Sequence, residues 1–588
     1  MKKIKVLLIY PPVRLNAPAR IPPTGLMYMA SVLRNEGVDI EILDVNLERW
    51  LMKDVVEYIS KNKPDVIGIG GMTTVYYYIK ALTLSLKNLF PEIPILGGGS
   101  ACSSSPEIVL SKTGVDVVII GEGEPVIFDL VNSVLNQGEV PLSAIQGIAY
   151  FDHDNNIIKT PDRPRMDSIE DLPYPAYDMV DMKKYIYNNT IKFSFKKSML
   201  EVIKEKGIDK EKVNKPIYIY SKRGCPFGCT FCYRNFGRKV AYSSVDYTIK
   251  HIESLAEEFD SAHFIFGDEL FNVDRKWVME FCHKIIELDK KFLFATGNGL
   301  RANTTKYEDL LIMRQAGFYR AAVGIESFYD PTLIEMKKNQ TADQIEEAIN
   351  AVVKSGIEIG STQLLFGYKS DGWDSMNETL RRLIKLKRYG AAFAIPCPYP
   401  GTYLYDQAVK EELITDEEGW LLELSDRDIS DRIINMSGRS TEELQTIIQY
   451  GYDVLKSREI MDSHKKNIIY RPLLSFQLVT RKMFGLDLIE LVRSVKYKYI
   501  KEKTQQLSSV DDEGINIVNE TGTSGTDSQD HPMYIDAFNI LDTVNTSIKH
   551  VCFDAPEPVE ETSPLATPIT IDMNMAPPVA KEIVLELK

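Results

Sequence analysis

Three of the seven cysteines crowd into one short stretch, Arg223-Gly224-Cys225-Pro226-Phe227-Gly228-Cys229-Thr230-Phe231-Cys232-Tyr233, with the spacing C-x3-C-x2-C. The run Ile217-Tyr218-Ile219-Tyr220 just before it reads as a strand. Thiolates are the soft ligands that iron–sulfur clusters use. Gly224, Pro226 and Gly228 are loop formers, so the backbone can wrap three sulfurs around one small object. Four cysteines would close a cubane, whereas three leave one iron without a protein ligand. An open metal position is the mark of a site that binds substrate. Plainer chemistries fit less well. A structural zinc site wants a fourth Cys or His nearby, and His251 and His263 lack paired spacing. Cys229 and Cys232 alone could serve as a dithiol pair, but Cys225 would then be surplus. A surface disulfide is out of keeping with so few cysteines in 588 residues.

The elements that must position this loop follow from the surrounding pattern. Strands are expected at 217–220, 263–266, 292–295, 320–324, 363–366 and 391–395, separated by amphipathic segments at 245–259, 276–288, 307–316, 343–355 and 376–389. Six strands alternating with helices predict a partial (β/α)6 barrel, whose functional residues gather at the carboxyl ends of the strands. Polar groups stand there in the sequence. Gly267-Asp268-Glu269 follows the second strand, Asn298 and Arg301 the third, and Gly324-Ile325-Glu326-Ser327 ends the fourth. Carboxylates suit a ligand's ammonium or hydroxyl groups, and a guanidinium suits a carboxylate. Singly, each could be a helix cap or a solvated loop charge.

Residues 1–150 show the same rhythm with shorter helices. Strands are expected at 5–9, 40–43, 66–69, 93–96 and 115–120, with helices at 25–34, 55–60 and 78–90. This predicts a doubly wound parallel sheet that binds ligands at its carboxyl edge. The strand ends read Gly70-Gly71-Met72-Thr73-Thr74, Gly97-Gly98-Gly99-Ser100 and Gly121-Glu122-Gly123-Glu124. Such glycines either let a bulky ligand approach the backbone or simply make tight turns.

The cysteine loop resembles that of the radical S-adenosylmethionine (SAM) superfamily, with Phe231 as the aromatic residue before the last cysteine. The resemblance implies a [4Fe–4S] cluster on Cys225, Cys229 and Cys232 whose open iron chelates SAM, and a 5′-deoxyadenosyl radical. It also assigns SAM's amino group to Asp268 or Glu269, its carboxylate to Arg301 and its ribose to Glu326. Gly367-Tyr368-Lys369 departs from the family's Gly-Leu-Pro-Gly-Glu-like turn, while Pro398-Tyr399-Pro400-Gly401-Thr402 is similar to it. Pro22-Pro23-Thr24-Gly25-Leu26 and the three glycine-rich strand ends resemble the cobalamin-binding domain that often precedes such a barrel. The implied cobalamin contacts are Met72, Thr73, Thr74, Gly97, Gly98, Gly99, Ser100 and Glu122. No Asp-x-His-x-x-Gly loop is present and the first histidine is His153, so cobalamin is expected base-off, without a histidine ligand. The family implies a small-molecule substrate and an electron donor such as flavodoxin or ferredoxin. Methyl transfer to an unactivated carbon or to phosphorus is the leading activity. The alternatives are a radical oxidation or cyclisation like that of the anaerobic magnesium-protoporphyrin ester cyclase, and a non-catalytic sensor.

Between these parts, 151–214 reads as a Pro-punctuated linker with a charged, exposed helical insertion at 196–215, and 215–401 as the barrel. A helical region, including 440–457 and 486–502, is expected over 402–504, and an acidic, mostly disordered tail over 505–588. Of the formal charge of −14, the tail carries −12 (fifteen Asp or Glu against three Lys), leaving −2 for residues 1–504. So nearly neutral a body does not suggest nucleic-acid binding on a basic face. No apolar run reaches the ~20 residues of a spanning helix. Few cysteines and the absence of a signal sequence point to a reducing cytoplasm. Cys102, Cys282, Cys397 and Cys552 read as small hydrophobes.

Overall fold

A computed structural model describes residues 3–14, 17–137, 140–192, 196–234, 236–426 and 434–463. The first sheet contains β1 (Lys5–Tyr10), β2 (Asp39–Asp44), β3 (Val66–Gly70), β4 (Ile95–Gly98) and β5 (Val117–Ile119) in parallel, extended by β6 (Ile148–Phe151) and β7 (Ile157–Lys159). Val6 to Ile9 and Val66 to Gly70 are all buried, as a parallel sheet covered on both faces requires. The order β2-β1-β3-β4-β5 reverses between β1 and β3, and the crevice for a ligand opens at the carboxyl ends there. The antiparallel hairpin β6–β7 falls partly in the expected linker. Its turn closes on Asp152, which accepts from the backbone of Asp154 (2.9 Å) and Asn156 (2.8 Å), with Asn155 left-handed. Because β6 runs against β5, this turn, with His153, lies at the edge opposite the ligand crevice.

The second sheet has the order β14-β13-β12-β11-β8. Its strands are β8 (Pro216–Ile219), β11 (His263–Phe266), β12 (Leu293–Leu300), β13 (Phe318–Val323) and β14 (Glu358–Ile359). Between β8 and β11 lie the two short strands β9 (Lys222–Arg223) and β10 (Ala241–Tyr242). A parallel pair, β15 (Gln363–Leu365) and β16 (Ala392–Ala394), continues the curve through a bridge between Glu326 and Leu364. The expected six-strand partial barrel is therefore present. Its outer face buries Phe264, Phe266, Phe294 and Phe318 against Phe281 of the helix Arg275–Glu287, with ring centroids 5.2–6.4 Å apart.

The insertion at 196–215 is not an exposed helix. Met199, Val202 and Ile203 form an i, i+3, i+4 stripe on the helix Lys197–Lys206. With Ile208 and Val213 they pack against Tyr218, Ile265, Leu293, Ala295 and Tyr319, filling the inner side of the barrel near the strand starts. The charged residues of that helix, with Leu200, face solvent.

After the short helix Tyr403–Lys410, two further helices follow the barrel among the described residues, Glu417–Asp426 and Thr441–Ser463. The first joins the two halves. Leu421 is buried in the core of the first sheet, while Trp420 and Leu424 pack beside the barrel with Tyr368, Leu404 and Tyr405. The second packs on the barrel's last strand, where the Tyr452 hydroxyl lies 2.9 Å from the Phe393 N and 3.0 Å from its O. The helix expected at 486–502 and the tail at 505–588 lie outside the described residues. No helix among the described residues is long and apolar enough to cross a membrane.

Candidate active site

The cysteine loop leaves β8 and is closed at its base by the antiparallel pair β9–β10, with Arg223 opposite Ala241. Gly224 has φ +98°, and a β-carbon there would lie 2.2 Å from the Lys239 carbonyl oxygen, so this position admits only glycine. The Cys225 N–H donates to the Gly237 carbonyl (3.3 Å) and the Cys232 N–H to that of Cys229 (3.4 Å). Thr230 pins the loop to the barrel, its N–H on the Met336 carbonyl (3.0 Å) and its carbonyl taking the Leu404 N–H (3.1 Å). Among the described residues no three His, Cys, Asp or Glu side chains gather as a single-ion site. A cluster differs from such a site in offering each thiolate its own iron. Cys232 is exposed towards the cleft, yet the protein around it pushes its thiol up to about 12, with the Cys229 and Cys225 sulfurs adding to the shift. Burial likewise raises Cys225. The Cys225 and Cys232 thiols, held protonated by their surroundings, need a local cation to become ligands.

Arg301 is buried beside them. Its guanidinium lies 3.4 Å from the centre of the Phe227 ring and donates to the carbonyls of Lys338 (2.6 Å) and Asn339 (3.2 Å). Its Nε is buried without a hydrogen-bond partner. Glu269 takes backbone hydrogen bonds from Gly224 and Phe236, but burial still raises its pKa. Its Oε2 is buried without a partner. Glu326 sits at the end of β13 in the left-handed region (φ +61°), strain that persists only where the surroundings impose it. Its carboxylate is paired with Lys338 at 2.9 Å. Lys338 was not among the residues singled out in the sequence. It is buried, 5.8 Å from the Phe231 ring, and lies between two left-handed residues, Lys337 and Asn339. In the sequence it reads only as a charge at a helix end, and no local signal betrays it.

Asp268 departs from expectation. It is fully buried, and its oxygens take the Ser221 N–H and hydroxyl, each at 2.6 Å, and the Lys222 N–H at 3.2 Å. The Lys222 ammonium stands 3.6 Å away and 3.3 Å from the centre of the Trp277 ring. Asp268 therefore fixes the chain between β8 and β9 and does not face the cleft. Asn298 holds the same turn, donating to the carbonyls of Gly267 and Asp268. Cys397 is half-buried, its thiol bonded to the Tyr399 hydroxyl.

At the first sheet the three glycine-rich strand ends differ. Met72 is 52% exposed, a large apolar side chain left open at the end of β3. A β-carbon on Gly98 would meet nothing within 4 Å. Gly99, at φ +70°, would bring a β-carbon 2.5 Å from the Gly71 carbonyl oxygen, and Gly97 would clash with Val115 and Cys102. Gly99 thus serves close backbone packing, and Gly97 leaves room for the Val115 and Cys102 side chains. Thr73 is buried, its N–H donating to the Ser100 hydroxyl (3.1 Å), while Thr74 is half-buried beside it. Glu122 does not face this opening at all. It is buried, accepts from the Met166 N–H (3.1 Å) and lies 3.7 Å from Arg165 and 3.9 Å from Arg223.

Residues 10–131 match the B12 binding domain and residues 219–383 the radical SAM superfamily. The chain is a radical SAM enzyme with a B12-binding domain. An uncharacterized methyltransferase of Pyrococcus horikoshii, PH0819, is 27% identical over 70% of this chain and 85% of its own length. The anaerobic magnesium-protoporphyrin IX monomethyl ester cyclase of Rubrivivax gelatinosus is 26% identical over 66% of each. The structure of the radical SAM methyltransferase TsrM from Kitasatospora setae, with cobalamin and a [4Fe–4S] cluster bound, superimposes with a TM-score of 0.54 at 18% identity, over 70% of this chain and 78% of that one.

The cofactors of this radical SAM enzyme are a [4Fe–4S] cluster, SAM and cobalamin. The side chains fit them. Three thiols, a partnerless carboxylate oxygen on Glu269 and a partnerless N–H on Arg301 stand together, as a cluster and an amino-acid moiety demand. The exposed Met72 and the open space before Gly98 suit a large flat ring. Among the described histidines, His251 is stacked on Tyr174 (4.4 Å between centroids) and held neutral by burial, with its pKa lowered to about 4. His263 begins β11, bonded to the Val213 carbonyl (2.9 Å). His153 is at the far edge and His283 lies on the helix Arg275–Glu287, so none stands at the carboxyl ends of β3 and β4.

Proposed function

We propose that this enzyme transfers a methyl group to an unactivated carbon, or to phosphorus, of a small molecule. One juxtaposition carries the reading. Tyr233, next to the third cysteine, packs against Gly401, where a β-carbon would lie 2.8 Å from its ring and 3.5 Å from the Ser104 side chain. Ser104 directly follows the helix Gly99–Ser103 that starts at the end of β4. The cluster loop and a cobalamin-side strand end therefore share one cleft. The names of PH0819 and TsrM, both methyltransferases, support the same reading.

In this assignment Cys225, Cys229 and Cys232 hold the cluster and Phe231 walls the SAM site. Glu269 receives SAM's ammonium, Arg301 with Lys338 faces its carboxylate, and Glu326 takes the ribose. Asp268 supports the turn that carries Glu269. Met72, Thr74 and Gly98 face the corrin. When bound, SAM at the cluster supplies a 5′-deoxyadenosyl radical and methylcobalamin a methyl group. The chain's own contribution is to hold both against the substrate and keep water out, with the insertion 196–215 sealing the bottom of the barrel. The reading includes a low-potential electron donor of the flavodoxin or ferredoxin kind and a reducing, anaerobic cytoplasm. The test is anaerobic reconstitution with SAM, cobalamin and reductant. Methyl transfer yields S-adenosylhomocysteine alongside 5′-deoxyadenosine, and the methyl of labelled SAM enters the cobalamin. Formation of 5′-deoxyadenosine with an unlabelled cobalamin would instead indicate a non-methylating oxidation, the reading favoured by the resemblance to the cyclase.

A further inference from the structure

The carboxylates of Gly121-Glu122-Gly123-Glu124 end a strand of the B12-binding sheet, yet they face the base of the cysteine loop. Glu122, Glu124 and Arg223 are each 5% exposed. The Arg223 Nη1 is 2.9 Å from the Glu124 Oε1 and 3.9 Å from the Glu122 Oε1, the nearer contact being an ion pair and not an aligned hydrogen bond. The guanidinium also lies 4.7 Å from the centre of the Tyr28 ring in the B12-binding domain and 5.0 Å from that of Phe236 in the cysteine loop. A second cation approaches from between the domains. Arg165 is 3.7 Å from Glu122, and its guanidinium abuts Gly237, where a β-carbon would lie 3.1 Å away. Just beyond it, Ser168 bridges to Tyr242 in β10. The strand pair that closes the loop is thus held by the B12-binding domain on one side and by the segment that carries Arg165 and Ser168 on the other.

Two buried carboxylates are costly unless cations meet them. Here the cations come from the base of the cluster loop and from the segment lying along it, not from the crevice. The link also runs inward. Arg223 precedes Gly224, whose N–H donates to Glu269, the carboxylate with a partnerless oxygen in the cleft.

We propose that Glu124, supported by Glu122, is a positioning residue for the cluster and SAM site, acting through Arg223 to hold the cysteine loop on the B12-binding domain. The Gly-Glu-Gly-Glu turn then belongs to the cluster half of the reaction although it lies in the cobalamin half of the chain. The inference does not depend on methyl transfer. It rests on the geometry of the loop and on the assignment of the cluster and SAM to that loop.

Hydrogen exchange of the full chain, without cofactors, tests it directly. Loss of a buried charge-assisted contact in Glu124→Gln should speed exchange in residues 222–242 roughly ten- to hundredfold, with residues 66–103 unchanged. After reconstitution the variant should show normal iron content and unchanged cobalamin affinity. Its SAM affinity should fall roughly tenfold, the spectral response of the reduced cluster to SAM should be altered, and Glu124→Asp should recover part of each effect. Arg223→Lys keeps the charge but loses the fork and the stacking, and should give the same pattern. Unchanged exchange in 222–242 would overturn the proposal, as would a loss of cobalamin affinity with SAM binding intact. Global unfolding of both variants would overturn it too, since the contact would then determine the fold and not the loop.

Discussion

The strand ends after β3 and β4 and the one after β5 look alike as sequence, each rich in glycine with a polar residue beside it. In the folded chain they do opposite things. The first two leave an exposed Met72 and an open Gly98 at the crevice. The third buries both its carboxylates against Arg223, which leads into the cysteine loop. Glycine specifies a tight turn in all three cases. What lies across from the turn decides whether it meets a ligand or the other domain. The same contrast separates the neighbours Asp268 and Glu269. One is saturated by backbone and hydroxyl donors, and the other is left with an unpartnered oxygen in the cleft.

The largest effect expected is at the thiols. Replacing Cys225, Cys229 or Cys232 by Ala should each abolish the cluster's absorbance and SAM cleavage, whereas Cys102→Ala, within the first sheet's core, should leave iron content intact. A cluster surviving loss of any one of the three would break the assignment of the loop.

Glycine substitutions divide the strand ends next. Gly99→Ala forces a β-carbon onto the Gly71 carbonyl at positive φ and should destabilise the fold by ~1–3 kcal/mol, read as a lower denaturant midpoint. Gly98→Val meets open space, so its midpoint should stay near wild type while cobalamin affinity drops severalfold. Equal cobalamin affinity in Gly98→Val and wild type would remove Gly98 from the cofactor's path.

The carboxylate neighbours sharpen the contrast further. Glu269→Gln should weaken SAM binding roughly ten- to hundredfold, the worth of a charge-assisted hydrogen bond of ~1.5–3 kcal/mol, with normal cluster content. Asp268→Asn should instead lower stability by a similar amount, because the Ser221 and Lys222 donors lose their anionic partner. If the two variants exchanged these phenotypes, Asp268 and not Glu269 would be the ammonium contact. Glu326→Gln should fall between them, since Lys338 shares its carboxylate. The smallest effect is expected at His153, whose replacement by Ala should leave the base-off cobalamin spectrum unchanged, as its turn lies across the sheet from the crevice.

Residue order alone specifies the local elements and the metal loop. Alternating apolar runs and amphipathic stretches carry their own period, so both sheets and most helices were legible, and C-x3-C-x2-C is a contiguous signal. The stripe Met199, Val202, Ile203 was equally contiguous, but its many lysines made a buried plug look like a solvated insertion. The helix Glu417–Asp426 illustrates the same limit, since nothing in its sequence says that Leu421 enters one core while Trp420 enters another. Which charged residues meet is set by the folded arrangement of the chain. Lys338 returns to Glu326 after the helix Asp330–Glu335, and Arg223 reaches Glu124 across the boundary between the two sheets. An ion pair has no sequence period of its own, and its members are chosen by where the backbone brings them once desolvation makes an unpaired charge too costly to keep.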